Sequence, residues 1–145
     1  MILSGTEICR RLAQNTQPGN LVIRPYSDEC QQPASYDLRA GENMILKQGG
    51  CTLLPTLEWV ELPEDLAGTL RCRSSFGRRG VLLGGGFIDP GFHGQLTLCL
   101  TNSGNADIEI RRNDRIVQMV LHEVRSGDRL YGGRYQDSMG VVEAR

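Results

Sequence analysis

From Leu21 onward the chain alternates apolar and polar residues in short runs, and only its opening follows a different rhythm. At that opening, Ser4 followed three residues later by Glu7 has the spacing of a capping box, and Ile8, Leu12 and Ala13 fall on one helical face. This predicts a short helix. Beyond it helix signals largely stop. Segments such as Leu21-Val22-Ile23-Arg24-Pro25 and Gly94-Gln95-Leu96-Thr97-Leu98-Cys99-Leu100 are punctuated by Gly, Pro, Asn and Asp, as expected of half-buried strands. With 18 glycines available for tight turns, the pattern predicts an all-β, jelly-roll-like double sheet with one short N-terminal helix. There is no internal repeat, low-complexity tract or linker, and 145 residues suffice for one core, so residues 1–145 are read as a single domain.

Charge narrows the partners. The formal net charge is −1 and the two signs are interspersed, which speaks against a nucleic-acid-binding face and against a polybasic membrane patch. The start Met1-Ile2-Leu3-Ser4-Gly5-Thr6-Glu7-Ile8-Cys9-Arg10-Arg11 has no apolar stretch of signal-peptide length, and no later run approaches a membrane span, so a cytoplasmic protein is expected. The five cysteines are scattered singly without a C-x-x-C pair, which predicts reduced thiols, with Cys72 and Cys99 packing as small hydrophobes in strand-like alternation. Only two histidines are present, His93 and His122, read as surface or edge residues. That leaves no ligand set for the zinc site of zinc nucleoside deaminases. The single tryptophan, Trp59, reads as a half-buried strand residue.

Three segments carry candidate chemistry. In Gly84-Gly85-Gly86-Phe87-Ile88-Asp89-Pro90-Gly91-Phe92-His93-Gly94, a carboxylate and an aromatic ring lie three residues apart beside glycines that let a ligand approach the backbone. Asp89 is placed to activate a water while Phe92 lies against a sugar. A glycine-rich turn with a solvated Asp and a core Phe is the alternative. In the second segment, Arg71 to Gly80, four arginines surround Ser74 and Ser75, a donor set suited to polyphosphate, and the turn there suggests a helix start with free N–H groups. The alternative is a solvated basic turn. In the third, Ile116, Gln118 and Val120 share one face of a strand, so Gln118 points among apolar residues and its amide needs a phosphate or a backbone partner.

Taken in order, Ala34-Ser35-Tyr36-Asp37-Leu38-Arg39-Ala40, Arg73-Ser74-Ser75-Phe76-Gly77, Gly86 to Gly94 and Asp114-Arg115-Ile116-Val117-Gln118 resemble the motifs of the dUTPase and dCTP deaminase superfamily. The capped N-terminal helix and Arg134-Tyr135-Gln136 resemble its deaminase branch. The resemblance implies a distorted β jelly roll, the dUTPase-like β-clip, and a homotrimer with active sites between subunits. It also implies a small-molecule deoxynucleotide as ligand. Deaminases carry a glutamate in a segment resembling L-E-x-x-N, whereas this chain reads Leu98-Cys99-Leu100-Thr101-Asn102, which argues against deamination.

The reading is therefore dUTP diphosphatase, with Asp89 orienting and deprotonating the attacking water. Arg73, Ser74, Ser75 and Gln118 would hold phosphates, and Phe92 would stack beneath deoxyribose and exclude a 2′-hydroxyl. Backbone around Leu83, Gly84 and Gly85 would read uracil. Asp37 and Arg115 would support the site from behind, or form a purely structural pair. Mg2+ would be held through the nucleotide phosphates and not by the protein directly. The tail departs from the R-G-x-G-G-F-G-S-T-G sequence typical of dUTPases; Gly132-Gly133 gives it mobility, and its resemblance to the deaminase tail implies that residues 130–145 form a mobile lid in which Arg134 would meet the γ-phosphate and Tyr135 or Gln136 would close over the nucleotide. The alternatives are a dCTP deaminase, a bifunctional enzyme, or a nucleotide-binding regulatory homologue with reduced chemistry.

Overall fold

The computed structural model describes residues 1–14 and 20–144. In chain order it contains α1 (Gly5–Ala13), β1 (Val22–Arg24), a 3-10 turn at Asp28–Cys30, β2 (Gln31–Gln32), β3 (Ser35–Arg39), β4 (Met44–Leu46), β5 (Cys51–Glu61) and β6 (Leu66–Cys72). There follow α2 (Ser74–Gly77), β7 (Val81–Gly84), β8 (Phe87–Ile88), β9 (His93–Asn102), β10 (Ile108–Ile110) and β11 (Arg115–Glu123). The all-β expectation holds.

Two sheets carry the architecture, one ordered β1-β5-β9-β7 and the other β2-β3-β11-β6-β8, with β4 and β10 forming a small ribbon. Every pairing within them is antiparallel, so each strand can bury one face and leave the other solvated. Tyr36 and Leu38 of β3 and Met119 and Leu121 of β11 come from one sheet, Leu54 of β5 and Leu98 and Leu100 of β9 from the other, and all join one buried cluster. Glu58 of β5 and Arg39 of β3 join the sheets by charge: Glu58 is fully buried, and its carboxylate accepts from the Arg39 backbone N–H at 2.9 Å and from Nε at 2.6 Å.

Three local irregularities position the site. Pro55 cannot donate to the ladder, and β5 shifts register against β9 between Pro55 and Trp59. Thr56 Oγ1 accepts the freed Leu96 N–H at 3.0 Å. A second shift lies on β11 between Arg115 and Val117. It moves the expected faces: Val117, Met119 and Leu121 are buried, while Gln118 falls with Val120 and His122 on the half-exposed side. Gln118 is thus off the fully buried face of the strand. Third, the glycine run is not the turn of a hairpin. β7 pairs with β9 whereas β8 pairs with β6, so Gly84-Gly85-Gly86 carries the chain from one sheet to the other. Gly86 makes this possible with φ +116° and no Cβ where one would meet Leu70 at 2.8 Å.

The N-terminal helix starts as expected, with Ser4 Oγ accepting from the Glu7 N–H at 3.2 Å. The reciprocal half of the capping box is missing, because the Glu7 carboxylate is taken by Arg10 and Arg11 on the following turn. Those bonds pull the Glu7 carboxyl down to about 2. Arg11 also reaches Asp65 at 2.7 Å, and Ile8 is fully buried. Ser4→Ala is expected to cost about 1 kcal/mol in thermal or denaturant unfolding, the usual worth of an N-cap side chain. A loss below the error of the measurement would show that the helix is held by its packing alone.

Candidate functional site

A cavity of about 370 Å3 opens where the start of β9, the turn before it and the C-terminal tail meet. Its wall includes Asp89, Phe92, Cys99, Tyr131 and Tyr135. Asp89 follows β8 directly, and Phe92 closes the turn by donating its N–H to the Asp89 carbonyl at 3.2 Å. Two bonds with Leu62 fasten this turn to the end of β5: Gly91 N–H to the Leu62 carbonyl at 3.0 Å and Leu62 N–H to the Phe92 carbonyl at 2.9 Å. The Asp89 side chain is exposed and makes no hydrogen bond or ion pair with another described residue. It is also the one carboxylate lining the cavity among the described residues. Phe92, only 7% exposed, packs edge-on to Tyr131 with ring centroids 5.7 Å apart.

Cys99 departs from its expected packing role. Leu98 and Leu100 point into the core, so Cys99 faces the other way, into the cavity with Gln95 and Thr97. Gly84 pairs with Cys99 across the ladder, and a Cβ on Gly84 would lie 3.4 Å from that of Cys99. Leu83 is half-buried against the core, and Gly85 adopts φ +78° in the crossover. Cys72 does behave as core material, and burial pushes its thiol up from the ordinary range.

The tail, expected as a mobile lid, is docked along β9. Gly94 and Ser138 form a parallel bridge, Gly140 N–H donates to Gln95 Oε1 at 2.7 Å, and Val142 N–H donates to Thr97 Oγ1 at 3.0 Å. Tyr135 lines the cavity and Arg134 is exposed. The Gln136 amide is committed to backbone groups of residues 91, 93 and 131 and is not presented to a ligand. Arg145, the last residue of the expected lid, lies outside the described residues. Gln95, Thr97 and Tyr131 line the cavity as well, without belonging to any of the sequence motifs. The polar positions 95, 97 and 99, alternating with Leu96, Leu98 and Leu100, were the available signal.

The phosphate-type residues gather elsewhere in the chain. Arg73 caps α2, and its Nε lies 3.1 Å from the Asp37 carboxylate, with Arg115 on the same oxygen at 3.7 Å. Asp37 is fully buried, and neither oxygen has a hydrogen-bond partner, so the two guanidiniums act on it as charges. Burial pushes the Asp37 carboxyl up, and Arg73 and Arg115 oppose that rise. Ser74 and Ser75 are exposed at the start of α2, and Gln118 stands across the ladder from Asp37 and Arg71. Arg73 and Arg115 line a second cavity of about 460 Å3 that shares no lining residue with the first. Ile88 pairs with Gly68, and Arg73 lies five residues further along that strand's course. At about 3.3 Å per residue this sets the two groups on the order of 16 Å apart. One chain therefore brings Asp89, Phe92 and Tyr135 together, and separately Arg73, Asp37 and Arg115.

Known proteins match this chain over most of its length. A protein from Pyrococcus horikoshii named dCTP deaminase is 37% identical over 138 residues, covering 84% of this chain and 88% of that protein. One from Salinispora arenicola, named dCTP deaminase, dUMP-forming, is 32% identical over 94% of this chain and 92% of its own length. Among solved structures, the 2'-deoxycytidine 5'-triphosphate deaminase of Agrobacterium tumefaciens superposes with a TM-score of 0.70 at 21% identity over 83% of this chain. This chain spans about half, 47%, of that one. The native EIAV dUTPase superposes with a TM-score of 0.61 at 24% identity, over 79% of this chain and 92% of its own. Both structures support the fold. Because the family model for dCTP deaminase-like domains also matches residues 39–124, this chain belongs to the dCTP deaminase-like family.

Proposed function

We propose that this protein is a dUTP diphosphatase, hydrolysing dUTP to dUMP and pyrophosphate in the cavity beside Asp89. The observation that carries this is the cavity wall: it offers one carboxylate, and the deaminase glutamate position is held by Cys99 facing inward. Replacing the amine of cytosine requires a group that takes a proton from water and returns it to the ring, and a thiol is a poor substitute for a carboxylate there. Splitting a phosphoanhydride asks for less. Asp89, exposed and unpaired, removes the proton from a water attacking the α-phosphorus, and pyrophosphate leaves.

Phe92 packs against deoxyribose, and the backbone of Leu83, Gly84 and Gly85 reads the base. Arg73, Ser74, Ser75 and Gln118 hold phosphate oxygens, with Arg73 kept in place by Asp37 and Arg115. Since these lie far from Asp89 within one chain, the reading includes a homotrimer in which a neighbouring copy supplies them; exposed Leu82 and Phe87 are consistent with such packing. Arg134 and Tyr135 cover the triphosphate.

The described residues contain no group of three or more His, Cys, Asp or Glu able to hold a metal. The reading takes magnesium as an ion that travels on the triphosphate, since Mg2+ keeps several waters and binds through substrate phosphates. Bound there, it neutralises charge on the phosphate chain and the leaving pyrophosphate.

The names of the sequence relatives favour a second reading, dCTP deamination, alone or coupled to dUMP formation. A product assay on dUTP, dCTP, dTTP and UTP, with and without magnesium, separates the two. Magnesium-dependent pyrophosphate from dUTP supports the diphosphatase. Ammonium from dCTP supports the deaminase, and binding without turnover a regulatory role.

No helix among the described residues is long and apolar enough to cross a membrane. A cytoplasmic location fits nucleotide chemistry and is part of the same proposal.

A further inference from the structure

We infer that Gln136 is a positioning residue that holds the Phe92 turn in the shape that discriminates the sugar. This deepens the proposed function and rests on its assignment of Phe92 to deoxyribose. One amide tethers both peptide units flanking Phe92. Its Oε1 accepts from the His93 N–H at 3.0 Å, and its Nε2 donates to the Gly91 carbonyl at 2.8 Å and to the Tyr131 carbonyl at 3.4 Å.

The turn needs such a tether. Gly91 and Gly94, on either side of Phe92, have φ of +81° and +152°, a region open to glycine over a wide range. With so much backbone freedom, the ring's orientation has to be set from outside the turn. The neighbouring tail bonds act on the same side: Asp137 N–H donates to the His93 carbonyl at 2.9 Å, and Gln95 N–H to the Ser138 carbonyl at 2.8 Å. Tyr131 meets the Phe92 ring edge-on and donates its own N–H to the Pro90 carbonyl at 2.7 Å. Two backbone bonds with Leu62 also hold the turn, but Gln136 is the one side chain among these contacts that grips the chain both before and after Phe92, so it can be cut without cutting backbone.

Removing the amide leaves the His93 N–H and the Gly91 carbonyl without that partner and releases the ring to shift toward or away from the sugar. A misplacement of 1 Å in a positioning group can cost as much as about 10²-fold in rate, and the contact between ring and sugar that the group sets weakens with it. The expected signature is specific: affinity for dUTP falls, affinity for UTP does not, and the preference for the deoxynucleotide shrinks.

The test is equilibrium binding of the non-hydrolysable α,β-imido analogues of dUTP and of UTP to the full chain with magnesium, for wild type, Gln136→Ala and Gln136→Glu, with thermal unfolding in parallel. Gln136→Ala is expected to reduce the dUTP:UTP preference roughly tenfold, equivalent to about 1.4 kcal/mol of discrimination. Gln136→Glu keeps the acceptor for His93 but sets a carboxylate against the Gly91 carbonyl, and is expected to lose part of the preference. A residue that only braces the fold lowers the melting temperature and leaves the ratio at the wild-type value, and that result overturns the inference. If the alanine variant does not fold, the isosteric glutamate variant decides by the same ratio. A wild-type chain that binds neither nucleotide overturns the reading of the site, and this inference with it.

Discussion

Asp89→Asn is expected to lower pyrophosphate release from dUTP by roughly 10²–10⁴-fold while leaving dUTP affinity and melting temperature close to wild type. The amide has the shape of the carboxylate and cannot take a proton. Its harmlessness to the fold follows from the structure, because the Asp89 side chain is exposed and bonded to no described residue. The measurement is kcat beside a dissociation constant for dUTP. A variant with wild-type turnover would remove Asp89 from the chemistry, and one that loses binding in proportion to turnover would make it a ligand contact.

The second large effect is on stability. Glu58→Ala is expected to cost about 3–5 kcal/mol, because it strands a guanidinium inside the sandwich. Arg39 keeps one other hydrogen-bond partner among the described residues, the Pro25 carbonyl, and its side chain is 14% exposed, so the orphaned charge is only partly hydrated. The two residues belong to different sheets, and their loss loosens the contact between layers as well as the pair itself. For a domain of this length the melting temperature should drop by roughly 10 °C or more. Glu58→Gln, which keeps an oxygen to accept from Arg39, should lose less. Equal losses in the two variants would mean that packing around position 58, and not the charge, holds the sheets.

How far the sequence discloses this molecule depends on the range of the signal. Asp89 and Phe92 are three residues apart in one turn, and the structure does bring them to one cavity. Alternation correctly announced strands, and Ser4 announced the helix start. Pairing partners were out of reach. Gly84-Gly85-Gly86 looks locally like a hairpin turn, and only the partners of β7 and β8 show that it joins two sheets. Likewise Arg73 and Asp89 are neighbours in motif order, yet β7 and β8 lie between them and the two residues end up apart.

Other misses had a readable cause. Leu54, Thr56, Glu58 and Val60 are all buried on one face of β5, so a glutamate in that row required a buried cation, although the row does not say which one. The bulge after Arg115 reversed the expected face of Gln118, and one extra residue in a strand leaves no mark on composition. Cys99 sits among hydrophobic neighbours, but its odd-numbered place beside Gln95 and Thr97 turns it away from the core and into the cavity. The tail is glycine-containing and polar, but its docking depends on two backbone bonds, one bridge and several side-chain bonds to β9 that no local pattern encodes.

The most direct test follows the oxygen of the attacking water. With dUTP and magnesium in oxygen-18 water, the purified protein should place one heavy oxygen in the phosphate of dUMP, release unlabelled pyrophosphate, and liberate no ammonium from dCTP. Intact dUTP accompanied by ammonium from dCTP would contradict the account, since a wall with a thiol at position 99 would then be carrying out the chemistry assigned to a second carboxylate.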